Sequence, residues 1–345
     1  MGAPLLVMLS AAGAFGQEPT VSNQVSGTTV LLQAVSVVDT HVVWVSGHGG
    51  TYVRTVDGGR HWRVGRVRGA DTLQFRDVHA VDASTAYLLS AGTGDLSRIY
   101  KTTDGGASWD LLFRNTAPTA FYDCFDFWDP HRGIAYSDAV DGQLVILRTN
   151  DGKTWHRLPA DHVPAAAGSE GGFAASGTCV VTHGARHAWI GTGAGDTARM
   201  IRTGDAGLTW TAAPVPMVSG SNVSGVFTVA FRDLMHGAAL GGDLQRAEDF
   251  TQNVIVTDNG GRTWRPVGRP TFPGAVYGAT YVPNSVPPIL VAVGPAGAAY
   301  SVDDGEIWRS LSDANHWGLG FAGSRAGWLV GPNGQITHVR FGGGS

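Results

Sequence analysis

One eight-residue phrase recurs along this chain and restricts the fold more than any other feature. It first reads Thr55-Val56-Asp57-Gly58-Gly59-Arg60-His61-Trp62, then returns as Thr102 to Trp109, Thr203 to Trp210 and Ser301 to Trp308, with Asp104, Asp205 and Asp303 in the acid slot. Two variants place Asn in that slot, Asn150 before Trp155 and Asn259 before Trp264. The residue types describe a locked hairpin turn. Asp or Asn accepts backbone N–H bonds a few residues on, and Gly supplies left-handed backbone angles. Ser or Thr adds a second local bond, and Trp lays apolar surface back over the turn. Asp, Ser and Trp also suggest a sugar site, but six copies at regular intervals read as turn locks, because one ligand does not need six sites.

Successive Trp residues of these boxes lie 44 to 55 residues apart, the length of one four-stranded blade with short loops. Between boxes a strand ends in an Asp-led turn, as at Asp39, Asp82, Asp129 and Asp233. A second apolar strand follows, for example 42–45, 86–89 or 237–240. A Gly-rich hairpin comes next, a third strand enters the box and a fourth leaves it. This makes six boxed blades. Residues 316–341 supply three further strands without a box, and residues 22–31 are expected to add the fourth, removing an open sheet edge. The expectation is therefore an all-β, seven-bladed β-propeller closed by strands from both termini. Residues 17–341 form its single domain, and 342–345 a Gly-rich tail.

Fifty of the 345 residues are Gly and 43% are hydrophobic, which suits a folded chain of many tight turns. The net charge of −4 points to neither a nucleic-acid nor an anionic-membrane partner. Residues 1–16 contain the apolar run Leu5 to Leu9 and the small-x-small pattern Ala12-Gly13-Ala14, without a basic start. This matches the end of a signal peptide, and a periplasmic or secreted protein is expected, the disordered N-terminal tail of a cytoplasmic protein being the alternative. No run is long enough to span a bilayer. The two cysteines, Cys124 and Cys179, cannot complete a four-ligand zinc site. Two buried free thiols are expected, a disulfide being the alternative in an exported chain.

The boxes match the Asp-box, or BNR, repeat. The intervening phrases Ser137 to Gly142, Ala175 to Thr178, Phe231-Arg232-Asp233 and Ala292 to Pro295 follow an order similar to that of bacterial proteins resembling the photosystem II stability/assembly factor. The resemblance covers residues 30–340. It implies a propeller and a non-catalytic scaffold that holds a protein client; nothing in the sequence speaks of photosynthesis itself.

Asp-box propellers also include sialidase-like glycosidases, whose site pairs a Tyr nucleophile with Glu beside an Asp acid/base and clustered Arg. Glu is scarce here. Glu170 or Glu248 with Tyr122 or Tyr277 would have to serve, and the family's early Phe/Tyr-Arg-x-Pro motif is absent. Gly191-Thr192-Gly193-Ala194-Gly195 imitates a nucleotide loop, but no helix fits before the next box. His183 and His187 have zinc-like spacing only on a helix, and here they flank a strand turn. No cofactor or metal is expected.

Propellers bind partners at the face made by second-to-third strand hairpins and blade-to-blade connections. In this chain those segments carry Tyr122, Asp123, Asp138, Asp243, Tyr277, His316 and Trp317. Acidic groups among aromatics suit a basic or polar client. The insert 241–253 is expected to form a rim, and the Ala- and Gly-rich connection 159–173 to be mobile. The expected function is a non-catalytic binding or assembly scaffold, monomeric, with a protein or peptide client and no nucleic-acid partner. A sialidase-like glycoside hydrolase acting on glycans is the alternative.

Overall fold

The computed structural model describes residues 18–342. Seven four-stranded antiparallel sheets follow one another, six of them pairing their strands in chain order from the innermost outward. Six begin with the inner strands Leu32–Val37, Phe75–Ala80, Tyr122–Phe127, Val180–His183, Ser224–Phe231 and Gly278–Tyr281. We number these blades 1 to 6. Blade 7 is composite. Gly318–Gly323, Ala326–Val330 and Gln335–Arg340 are joined at the outer edge by Thr20–Val25. Thr20 pairs with Arg340 and Val25 with Gln335. The closing strand is thus shorter than the expected 22–31, because the chain turns at Ser26 and Gly27. Gly27 takes φ +82°, and the Ser26 hydroxyl donates to the Thr28 carbonyl at 3.2 Å. The presumed signal segment lies outside the described residues. Among the described residues no helix is long and apolar enough to cross a membrane.

Second strands are almost wholly buried, as in Val43–Gly47, Ala86–Ser90 and Ala326–Val330. They stack face to face with neighbouring blades, so the core is a ring of inter-blade layers. Trp44, Tyr52 and Phe75 share one layer, and Tyr87, Phe125 and Phe127 the next.

Each box closes a third-to-fourth strand turn as its residue types require. Thr102 Oγ1 donates to Asp104 Oδ1 at 2.8 Å and accepts the Gly106 N–H at 2.9 Å. Asp104 Oδ1 accepts the Ser108 N–H at 2.9 Å. The variant before Trp155 corrects the sequence reading. Asp151, not Asn150, takes the acid position, accepting the Lys153 and Thr154 N–H groups at 2.8 Å. One residue is missing between this acid and its Trp. Thr149 Oγ1 therefore reaches the Gly152 N–H, three residues on rather than four. Asn259 does occupy the slot in blade 5, its Oδ1 accepting the Thr263 N–H at 3.0 Å.

The boxes do a second job that the repeat did not reveal: each is gripped by the preceding blade. The Tyr52 hydroxyl donates to the Gly106 carbonyl at 2.6 Å, Tyr87 to Gly152 at 3.0 Å, and Trp189 Nε1 to Gly260 at 3.0 Å. Arg148 Nε donates to Ala206 at 2.8 Å, and Arg232 pairs with Asp304 at 3.0 Å. Trp62 of the first box donates to Gln24 Oε1 at 3.0 Å, so the composite blade grips blade 1 in the same way. A Cβ on Gly106, which has φ +90°, would meet the Tyr52 hydroxyl at 2.4 Å, so this position requires glycine.

Cys124 and Cys179 form a disulfide rather than two free thiols. They adjoin because the chain before blade 4 returns to the innermost strand of blade 3.

Candidate functional site

Inner strands begin at one face of the ring, here called the mouth, where the second-to-third strand hairpins also lie. Box turns end third strands and therefore occupy the opposite face. The expected binding residues and the boxes are thus separated by the depth of the ring.

The mouth does not lead into an open channel. The connection expected to be mobile is tied down, and its last part crosses the axis as a plug. Ala139 N–H bonds the Glu170 carbonyl at 2.9 Å, and Gly171 and Gly193 exchange backbone bonds at 3.0 and 2.9 Å. Gly172 N–H donates to Asp138 Oδ1 at 3.0 Å in blade 3. Phe173 stacks on Phe227 of blade 5, ring centres 3.9 Å apart. The Ala174 carbonyl accepts Gln33 Nε2 of blade 1 at 2.7 Å. Ser176 Oγ donates to the Tyr277 carbonyl at 2.7 Å at the edge of blade 6. Gly177, with φ +76°, lies so close to Asp77 of blade 2 that a Cβ would come within 2.2 Å of its carboxylate. The disulfide then anchors the plug's end to blade 3.

The sequence-derived site residues divide into two groups. Tyr122, Asp123 and His316 are buried. Tyr122 packs edge-on against Phe113 at 5.2 Å, and burial pushes its phenol up to about 12. His316 sits between Ser312 Oγ at 2.9 Å and Gln335 Nε2 at 3.1 Å, and burial lowers it to about 4, which leaves it neutral. Asp123 is raised well above the carboxylate range by burial and by the charge of Asp138, with Arg76 opposing. Burial pushes Asp138 up to about 6. The two carboxyls lie beneath Gly171 and Gly172, where a Cβ on Gly171 would meet Asp138 Oδ1 at 2.1 Å and one on Gly172 would meet the Asp123 carboxyl at 2.8 Å. Asp138 holds the plug through the Gly172 N–H.

Asp243, Tyr277 and Trp317 are half-buried at the surface. Tyr277 meets Trp317 edge-to-face at 5.0 Å, and Phe227 lies 6.2 Å from Tyr277. With Phe173 these rings form a continuous aromatic run from the axis to blade 7. Beside it a dent is lined by Asp243, Leu244, Ala247, Pro273, Tyr277 and Pro295. Leu244 and Phe250 are exposed on the insert. Sequence reasoning missed Phe173 and Phe227, and also Arg76, which lies over Phe121 at 5.8 Å. Phe173 stands in a segment with no counterpart in other blades, so no repeat register could place it.

Glu170 is fully buried. It is bonded to Arg199 Nε at 2.9 Å, to Thr192 Oγ1 at 2.6 Å and to the Ala167 N–H at 3.0 Å. Glu248 is exposed on the insert. His183 and His187 face each other across a strand turn, as expected. Among the described residues no three His, Cys, Asp or Glu side chains are grouped to hold a metal.

No protein-family model matches the chain, and no curated protein matches its sequence. Solved structures share its fold. YCF48 bound to D1 peptide superposes with TM-score 0.64 at 17% identity, covering 93% of this chain and 96% of the other. YCF48 from Cyanidioschyzon merolae gives 0.62 at 17%, covering 93% and 98%. An ancestral GH74 enzyme gives 0.66 at 15%, covering 91% of this chain and 46% of the other. This chain is a seven-bladed propeller similar in fold to the YCF48 structures.

Proposed function

We propose that this protein is a non-catalytic binding scaffold that holds a peptide or protein client on its mouth face, in an exported compartment. The carrying observation is the aromatic run Phe173–Phe227–Tyr277–Trp317 with its acidic and apolar rim, on a face whose channel the chain itself plugs. Phe173, Tyr277 and Trp317, half-buried around the buried Phe227, offer large contact area at low entropic cost, and Asp243 beside them favours a basic or polar segment. The likeness to a YCF48 structure carrying a bound peptide supports the same reading. The disulfide supports an oxidising compartment.

The alternative is a glycoside hydrolase, to which the likeness to a GH74 enzyme lends its only support. Its chemistry needs a carboxyl group free to reach a sugar. Glu170 is instead enclosed by Arg199 and Thr192.

Affinity capture from the host's envelope fraction tests the proposal. Trp317→Ala and Tyr277→Ala should each lower client recovery at least about tenfold, as for an aromatic hot spot, with the unfolding temperature unchanged. Equal recovery by all three proteins would remove the mouth as the site. Release of sugar from a glycan panel would favour the hydrolase.

A further inference from the structure

Every blade ends in an outer strand whose far edge carries unpaired backbone N–H and C=O groups, a template for another chain. Short length, proline, charged side chains and bulges keep such edges from pairing. Among the described residues six of the seven outer strands use these devices. His156–Arg157 and Arg265–Pro266 are two residues long. Thr211–Pro214 ends in proline. Arg63–Arg66, Asp110–Arg114 and Trp308–Ser312 carry charged side chains, and the last two are also interrupted by a register shift against their neighbours.

The seventh, Thr20–Val25 of the composite blade, has none of them. Its six residues include no charge and no proline, and it keeps one register with Gln335–Arg340 from end to end. Val21 is 41% exposed and Val25 88% exposed. Side chains alternate along a strand, so both valines share one face with Asn23. The other face is turned to the ring, where Gln24 receives Trp62 and Trp328.

This strand is also complementary to itself. Antiparallel pairing about a two-fold axis through Asn23 sets Val21 opposite Val25 twice, Ser22 opposite Gln24 twice and Asn23 opposite Asn23. Apolar groups then meet apolar groups and polar groups meet polar ones, as favourable cross-strand pairs require, and no charge opposes the approach. An axis through Ser22 would set Val21 against Asn23 and lose the match. A groove of 600 Å³, lined by residues 23–29 and 333–336, borders the mouth end of the strand. In the paired arrangement the residues before Thr20 of the second copy run along it, extending the contact past the strand.

We propose that the outer edge of blade 7 is a dimerisation surface, on which a second copy of this chain adds strand to strand and makes one continuous sheet through both molecules. Each molecule has one unguarded edge, so the two-fold contact closes at a dimer. One strand pair with its flanks falls short of the roughly 1,200 Å² of stable complexes. A weak, concentration-dependent dimer follows, rather than the monomer expected from the sequence.

Sedimentation equilibrium of the full chain over a range of concentrations tests this. The mass should rise from monomer toward dimer and no further. Val21→Lys with Val25→Lys puts like charges opposite each other and should weaken association at least about tenfold, with the unfolding temperature unchanged. Val21→Glu with Val25→Lys makes opposite charges meet in this register and should restore association. Val286→Lys, at a residue 96% exposed on blade 6, should change nothing. A chain monomeric throughout, a mass beyond dimer, or a dimer untouched by Val21→Lys with Val25→Lys would overturn the assignment. So would loss of client capture in that variant without a change in mass, which would give the edge to the client instead.

Discussion

Trp109 shows how one side chain serves both a turn and a blade interface. Its ring stands edge-on to Trp44 at 6.1 Å and tilts against Tyr52 at 5.2 Å, both in the preceding blade. Trp109→Ala should cost about 3 kcal/mol of unfolding free energy, as aromatic truncation in a packed layer does. Client capture should not change, since the box lies at the opposite face. Chemical denaturation beside the capture assay checks both halves, and a selective loss of capture would contradict the structural role. Tyr52→Phe removes only the bond to Gly106 and should cost about 1 kcal/mol. The order of residue types in a box was legible because the turn chemistry is local. The grip of one blade on the next box was not, because Tyr52 and Gly106 are 54 residues apart and only the ring brings them together. The misplacement at Asn150 has a local cause: a one-residue deletion shifts the acid relative to the Trp, and the Trp was the landmark.

The plug is the element that departs most from the repeat. Burial raises both Asp123 and Asp138, which lie against it, above the ordinary carboxylate range. Asp138 is raised in the folded protein to about 6, so its contribution is complete below the ordinary carboxylate value and is lost as pH rises through about 6. Arg76 faces Asp123 and offsets part of the charge, while the buried Tyr136 feels the charges of Glu170, Asp138 and Asp123 together. Asp138→Asn keeps an oxygen for the Gly172 N–H and supplies a donor to Asp123. It should therefore be more stable than the parent at pH 8, on the order of 2 kcal/mol, and no more stable at pH 4. Denaturant midpoints at the two pH values decide this. The box carboxylates have the opposite sign. The Ser108 hydroxyl and N–H hold Asp104 at about 2, so its contribution is present above pH 4 and fades on further acidification. At the plug's end the disulfide closes a span of 55 residues. Cys124→Ala with Cys179→Ala should cost about 4 kcal/mol on a chain-entropy estimate, read as a lowered denaturant midpoint. None of this plug was legible, since the connection lacks a box, a strand pattern or a counterpart in any other blade. Only Asp138, singled out as a surface group, pointed to the place, and there as a buried latch.

At the scale of the whole molecule the blade count and the composite closure were legible, because a period of 44 to 55 residues fixes the unit and the unboxed remainder needs a partner. A chain lacking residues through Val25 should lose cooperative unfolding or aggregate. It exposes the edge of Gln335–Arg340 and removes Gln24, which receives both Trp62 and Trp328. Light scattering and a thermal scan would show it; a fully stable truncated chain would mean that blade 7 holds with three strands. The register of that closure also sets how the ring responds to force. Thr20 lies opposite Arg340, so the two ends of the chain leave blade 7 side by side. Tension applied between them loads the first rung alone and then each rung in turn, as a zipper opens, instead of shearing six pairs at once. A ring of seven packed layers is therefore expected to give way at low force when pulled by its ends, and to resist far more when pulled between loops on opposite blades.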